Sequence, residues 1–128
     1  KSFRSVARLA HTLEAAGLTA WVGVAQGDFF DLDPRSLTAD PGLVVINPPY
    51  GRRLGTPAAS ADIFQRILDR LQTVYRGWRC ALIAPDGQLA EDLPFALRRF
   101  PLSHGGLRLM LLIGPIPPGD QAPRPRAP

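Results

Sequence analysis

Cysteine, histidine and lysine are scarce in this chain of 128 residues. The single cysteine, Cys80, excludes an intramolecular disulfide and any multi-cysteine metal site. The two histidines fall in unpromising places for ligands, His11 on a helical stretch and His104 at a turn, so no metal is expected. Long apolar runs are missing as well. The longest, Leu107–Ile113, is interrupted by Arg108 and is too short to span a membrane. Lys1–Ala16 alternates charged and apolar residues at helical spacing and does not build a signal peptide, so a cytoplasmic location is the default expectation. Of the 15 basic residues only Lys1 is lysine. Arginine favours phosphate forks and base stacking, although a GC-rich genome gives the same bias.

What is present fits one globular domain. Hydrophobic residues make up 45% and charged residues 20%, enough to build a real core. A net charge of +4 suits a polyanionic partner. Val6, Leu9, Ala10, Leu13 and Ala16 share one helical face, and Gly17 stands where a helix stops, which predicts a helix over Ser2–Ala16. Trp21–Gln26 reads as a strand, followed by an acidic loop with Asp28, Asp31 and Asp33; the last two are read as surface or capping residues. Pro34–Pro41 is a polar connection with room for one helical turn. Leu43–Ile46 is a short, wholly apolar strand of the kind buried on both faces.

After a loop at Gly51–Ser60, with Ser60 as a plausible N-cap, Ile63, Phe64, Ile67, Leu68, Leu71, Val74 and Tyr75 form a helical stripe that ends at Gly77. Arg79–Ala84 reads as a strand closed by a Pro85-Asp86-Gly87 turn, and Gln88–Ala96 as a short helix. Arg98–Ser103 and Leu107–Ile113 flank Gly105-Gly106 as an antiparallel hairpin. Six of the 14 prolines follow Gly114, so 114–128 is expected to be an unpacked tail. Trp21 and Trp78 open strands and are expected in the core, as is the Cys80 thiol. Alternating helices and strands imply an α/β fold with a mostly parallel, doubly wound sheet and a C-terminal antiparallel hairpin. Ligands of such sheets lie at the carboxyl ends of the strands, where the loops 27–33 and 47–55 fall.

The most informative stretch is Asn47-Pro48-Pro49-Tyr50. Two prolines cannot continue a central strand, so the chain leaves the sheet at Asn47 with its amide and the Asn47 and Pro48 carbonyls turned outward. Tyr50 adds a flat amphipathic surface. Acceptors for an exocyclic amine beside a stacking ring suit a nucleobase lifted out of its stack. The plainer reading is a proline-rich turn that ends a strand.

Val45-Ile46-Asn47-Pro48-Pro49-Tyr50-Gly51-Arg52-Arg53-Leu54-Gly55 resembles the THUMP-associated ribosomal-RNA guanine-N2 methyltransferases, a group of class I S-adenosylmethionine-dependent enzymes. Glu14-Ala15-Ala16-Gly17-Leu18 and Gln26-Gly27-Asp28-Phe29-Phe30 match the group in order and spacing, and the likeness covers about Ser2–Ile113. It implies a Rossmann-like methyltransferase fold. It also implies transfer of a methyl group from S-adenosylmethionine to a guanine amine of ribosomal RNA. In that reading Asn47 and the Pro48 carbonyl accept from the amine, Pro49 shapes the turn, and Tyr50 stacks on the base. Asp28 accepts from the cofactor's adenine, Phe29 lies against that ring, and Asn47 also borders the cofactor. Arg52 and Arg53 reach RNA phosphates.

Asn-Pro-Pro-Tyr is shared with adenine-N6 methyltransferases, which keeps that activity as an alternative. A non-catalytic Rossmann-like RNA-binding module is another. The resemblance further implies a glycine-rich cofactor turn, yet no two glycines here stand two residues apart. The chain is therefore expected to be a carboxyl-terminal fragment, inactive alone, with the strands that separate Trp21–Gln26 from Leu43–Ile46 missing. Open sheet edges would then pair with each other, or drive a homodimer or strand swap.

Overall fold

The computed structural model describes residues 3–48, 57–84 and 92–118. The chain divides into two compact units, Lys1–Leu32 and Asp33–Pro128.

In the first unit, α1 spans Phe3–Ala15. It ends in a Schellman cap: Leu18 N–H donates to the Leu13 carbonyl at 2.9 Å and Gly17 N–H to the Glu14 carbonyl at 3.1 Å. Gly17 sits at φ +73°, where a side chain would be strained. The chain then makes one more turn, with the Trp21 and Val22 amides both donating to the Leu18 carbonyl. No strand forms over Trp21–Gln26, which corrects the sequence expectation. The segment has strand-like residues but pairs with no neighbour among the described residues, and a strand exists only as part of a ladder. Trp21 is accordingly 84% exposed and is no core residue. None of the described side chains of this unit is fully buried.

The second unit holds the core. A 3-10 turn at Pro34–Ser36 opens it, capped by Asp33, whose carboxylate accepts from the Arg35 amide at 3.0 Å. That amide, and next the Arg35 guanidinium, hold the exposed Asp33 carboxyl below its usual range. Four strands follow among the described residues: β1 (Leu43–Ile46), β2 (Arg79–Ala84), β3 (Arg98–His104) and β4 (Leu107–Pro115). They form one sheet in the order β1-β2-β4-β3. β1 and β2 are parallel, and β4 is antiparallel to both of its neighbours. The sheet is thus mixed, and the hairpin docks through its second strand, β4. Pro101 lies on the edge strand β3, where a missing N–H costs least.

Helix α2, Pro57–Val74, crosses over from β1 to β2. Its stripe of Phe64, Ile67, Leu68 and Leu71, with Tyr75 beyond its end, is buried together with Cys80, Leu82, Ala84, Leu112 and Ile116. The helix starts three residues before the expected cap: Pro57 takes the first turn, as its fixed φ favours, and Ser60 is a buried residue of that turn. Trp78 is half-buried, edge-on to Tyr75 with ring centroids 5.4 Å apart.

Other expectations change. β1 is not buried on both faces: Leu43 is 59% and Val45 69% exposed. The segment expected to pair with β1 forms no strand, and no observation on this chain favours self-association through the β1 edge. Of the Gln88–Ala96 helix, residues 92–96 are irregular; 88–91 and the Pro85–Gly87 turn lie outside the described residues. The expected tail begins too early at Gly114. β4 runs through Pro115, Ile116 is buried, and its amide donates to the Trp78 carbonyl at 2.7 Å. No helix among the described residues is long and apolar enough to cross a membrane.

Burial pushes the Cys80 thiol up to about 11, against a weaker pull from the Arg79 guanidinium. The protonated thiol is the form folding favours. Its contribution is complete below the ordinary thiol range and is lost as pH rises through about 11. Native protein at pH 8 is therefore expected to resist iodoacetamide, and denaturant should release one reactive thiol per chain. Rapid labelling of the native state would contradict the buried position.

Candidate active site

The ladder places the acceptor motif. Ile46 is the last residue of β1 and pairs with Leu82, so Asn47 leaves the sheet about level with Ile83, at the carboxyl end of both parallel strands. Asn47 is exposed and Pro48 half-buried. Pro48 has no N–H to offer a ladder, and the last ladder pair, Ile46 with Leu82, stands one residue before Asn47. Within the second unit this is the end where an open α/β sheet binds its ligands. Pro49, Tyr50, Arg52 and Arg53 lie outside the described residues.

Asp28 and Phe29 belong to the first unit. Asp28 caps a 3-10 turn over Phe29–Asp31, its Oδ1 accepting from the Phe30 amide at 2.9 Å. The cap holds the carboxylate in place while Asp28 as a whole stays exposed, so the second oxygen can accept a further hydrogen bond. Phe29 is half-buried and meets Phe30 edge-to-face at 5.2 Å. A fixed carboxylate acceptor next to a steadied ring suits an adenine amine and its ring. No turn with glycines two apart occurs in this sequence to take the methionine end of the same cofactor. Sequence reasoning did not foresee the capping role of Asp28, although an Asp two residues before the amide it accepts from is a recognised turn pattern. Among the described residues no cluster of His, Cys, Asp or Glu could hold a metal ion.

A groove of about 620 Å³ lies at the other end of the second unit, between Asp33–Pro41 and the last turns of α2. Its guanidiniums are partly engaged: Arg35 with Asp33 at 3.4 Å, and Arg76 with the Gln72 carbonyl at 3.2 Å. It contains none of the motif residues.

The mixed sheet, the α2 crossover and an Asn-Pro turn at the carboxyl end of β1 define an α/β domain built like part of a methyltransferase. Comparison with known families agrees: the profile described as "RMKL-like, methyltransferase domain" matches residues 2–105, and the chain belongs to that family. Relatives include a protein of Stutzerimonas stutzeri named ribosomal RNA large subunit methyltransferase K/L, 40% identical over 104 residues. That alignment covers 80% of this chain and 14% of the relative. Proteins of the same name from Pseudomonas putida strain W619 and Pseudomonas entomophila are 32% and 31% identical over 109 residues, with 84% of this chain and 15% of each relative covered. The chain thus spans about one-seventh of the length of the relatives it matches.

Proposed function

We propose that the full-length protein transfers a methyl group from S-adenosylmethionine to the exocyclic amine of a guanine in ribosomal RNA. The observation that carries this reading is the exposed Asn47 with Pro48 directly beyond β1, in a chain of a methyltransferase-domain family. The names of the relatives supply the substrate class.

An aromatic amine is a poor nucleophile because its lone pair is delocalised into the ring. The Asn47 side-chain oxygen and the Pro48 carbonyl accept its two hydrogens and favour a pyramidal nitrogen. The lone pair so freed would face the methyl group to be transferred, while the Asn47 oxygen and the Pro48 carbonyl would hold the amine until its surplus proton leaves to water. S-adenosylmethionine, when bound, supplies the activated methyl group. The protein's part is positioning and complementarity to developing charge, with no general base needed. Asp28 and Phe29 hold the adenine end of the cofactor, and Tyr50 stacks on the flipped base. Arg52 and Arg53 contact phosphates on either side.

The test is incubation of the full-length protein with methyl-labelled cofactor and unmodified large-subunit RNA, followed by nucleoside analysis. Label in N2-methylguanosine is the expected result. Label in N6-methyladenosine instead would move the substrate to adenine. No transfer, with cofactor and RNA both bound, would leave a non-catalytic RNA-binding module.

A further inference from the structure

We infer that the β3–β4 hairpin is an arm that grips RNA beside the target nucleotide, with Arg108 as its phosphate contact. This rests on the RNA substrate proposed above, and it adds a positioning residue that the motif does not contain.

The register carries the argument. The last described residue of β2, Ala84, pairs with Met110. The hairpin continues past that point through the pairs Leu102–Leu109, Ser103–Arg108 and His104–Leu107. Three further residues on each strand carry it about 10 Å beyond Ala84. It projects in the direction in which Asn47 and Pro48 leave β1, because β1 and β2 are parallel. β4 lies two strands from β1, about 10 Å sideways. Arg108 stands opposite Ser103 on this projecting part and is exposed. A guanidinium on a long side chain, at that offset from the acceptor turn, is within reach of the backbone that flanks a flipped nucleotide.

Charge and stiffness support the same occupant. Residues 93–118 contain three arginines and no aspartate or glutamate, so nothing on the arm repels a polyanion. The tip turns through Gly105 at φ +57° and Gly106 at φ +81°, the tight two-residue hairpin whose twist matches its strands. The arm is therefore a short, regular ribbon that can hold Arg108 at a fixed offset. Its apolar interruptions had hidden it: in the sequence Arg108 only breaks a hydrophobic run. It also lies just past residues 2–105, the part matched by the family profile.

The test compares the full-length protein with Arg108→Ala, Arg108→Lys and Arg99→Ala. Arg99 is exposed and sits near the start of β3, at the opposite end of the hairpin, so its loss changes net charge equally. Arg108→Ala is expected to raise the KM for ribosomal RNA roughly tenfold and to lower the salt slope of RNA binding by about one phosphate contact, with cofactor affinity unchanged. Arg108→Lys should recover most of the loss, and Arg99→Ala should match wild type. Equal losses in Arg99→Ala and Arg108→Ala would reduce the effect to bulk charge and overturn the inference. So would an Arg108→Ala protein that behaves as wild type on RNA the wild type methylates. A wild-type protein that transfers nothing to RNA would instead overturn the proposed function, and this inference with it.

Discussion

Replacing Asn47 by alanine is expected to lower kcat for methyl transfer by the full-length protein roughly 100- to 1,000-fold, the usual cost of losing one oriented group at a reacting atom. The direction follows from the position. Asn47 is exposed directly after the last paired residue of β1, so its side chain supports no core packing. Thermal stability should hold within about 0.5 kcal/mol, as for surface substitutions. RNA affinity should also hold, because phosphate contacts supply most of it. The loss must appear in kcat, since the acceptor matters most when the amine becomes pyramidal. Asn47→Asp keeps an acceptor oxygen and should retain more activity than alanine. Single-turnover kinetics with saturating cofactor separate these cases. A kcat within about threefold of wild type for Asn47→Ala would remove the side chain from the mechanism and leave the Pro48 carbonyl alone.

The second large effect is on stability. Leu82→Ala should cost about 3 kcal/mol, as deletion of a fully buried leucine side chain does when the site cannot collapse. Leu82 is fully buried at the middle of the sheet, paired with Ile46 on one side and Leu112 on the other. Neighbours in a ladder cannot move in to fill the space without breaking register. Against a total stability of roughly 5–15 kcal/mol, this is a large share. Leu43→Ala is the comparison: Leu43 is 59% exposed, and the same truncation there should cost less than about 1 kcal/mol. Urea unfolding of both variants decides, and equal midpoints would mean that the α2 face of the sheet is not the core.

Those same residues show what could be read in advance. The stripe Ile63, Phe64, Ile67, Leu68, Leu71, Val74 and Tyr75 announced α2 because its period is a property of the segment itself; five of the seven are buried, and Ile63 and Val74 are half-buried. The hairpin was legible for a similarly local reason: two strand-like runs flank the Gly105-Gly106 turn. Burial of β1 and the strand at Trp21–Gln26 were misread because both depend on what lies alongside. Val45 is as apolar as Leu82, yet it lies on the other face of the sheet, where it is 69% exposed, while Leu82 is buried with the α2 stripe. Trp21 and Val22 have strand-forming side chains, but side chains do not supply the hydrogen-bonding partner that a strand requires. The helix expected over Gln88–Ala96 carried its own objection, since Pro94 would remove an interior N–H. At the candidate site, the chain's exit from the sheet at Asn47 was legible from the prolines that follow it, and the ladder added its direction. Arg108 was not legible, because its value comes from how far the hairpin overshoots β2, a matter of register between distant segments.

The strand order has a consequence for synthesis. β4 is the last of the four strands to leave the ribosome, yet it lies between β2 and β3. Until it emerges, β2 has a neighbour on one side only, β3 has none, and the stripe of α2 faces water where Leu112 and Ile116 will sit. The growing chain therefore passes through a state with open ladders and uncovered leucines, the species most prone to aggregate. It becomes a closed unit only when Ile116 docks and the Gly77 amide meets the Ile116 and Pro117 carbonyls. The turn that presents Asn47, though made early, acquires a firm base late.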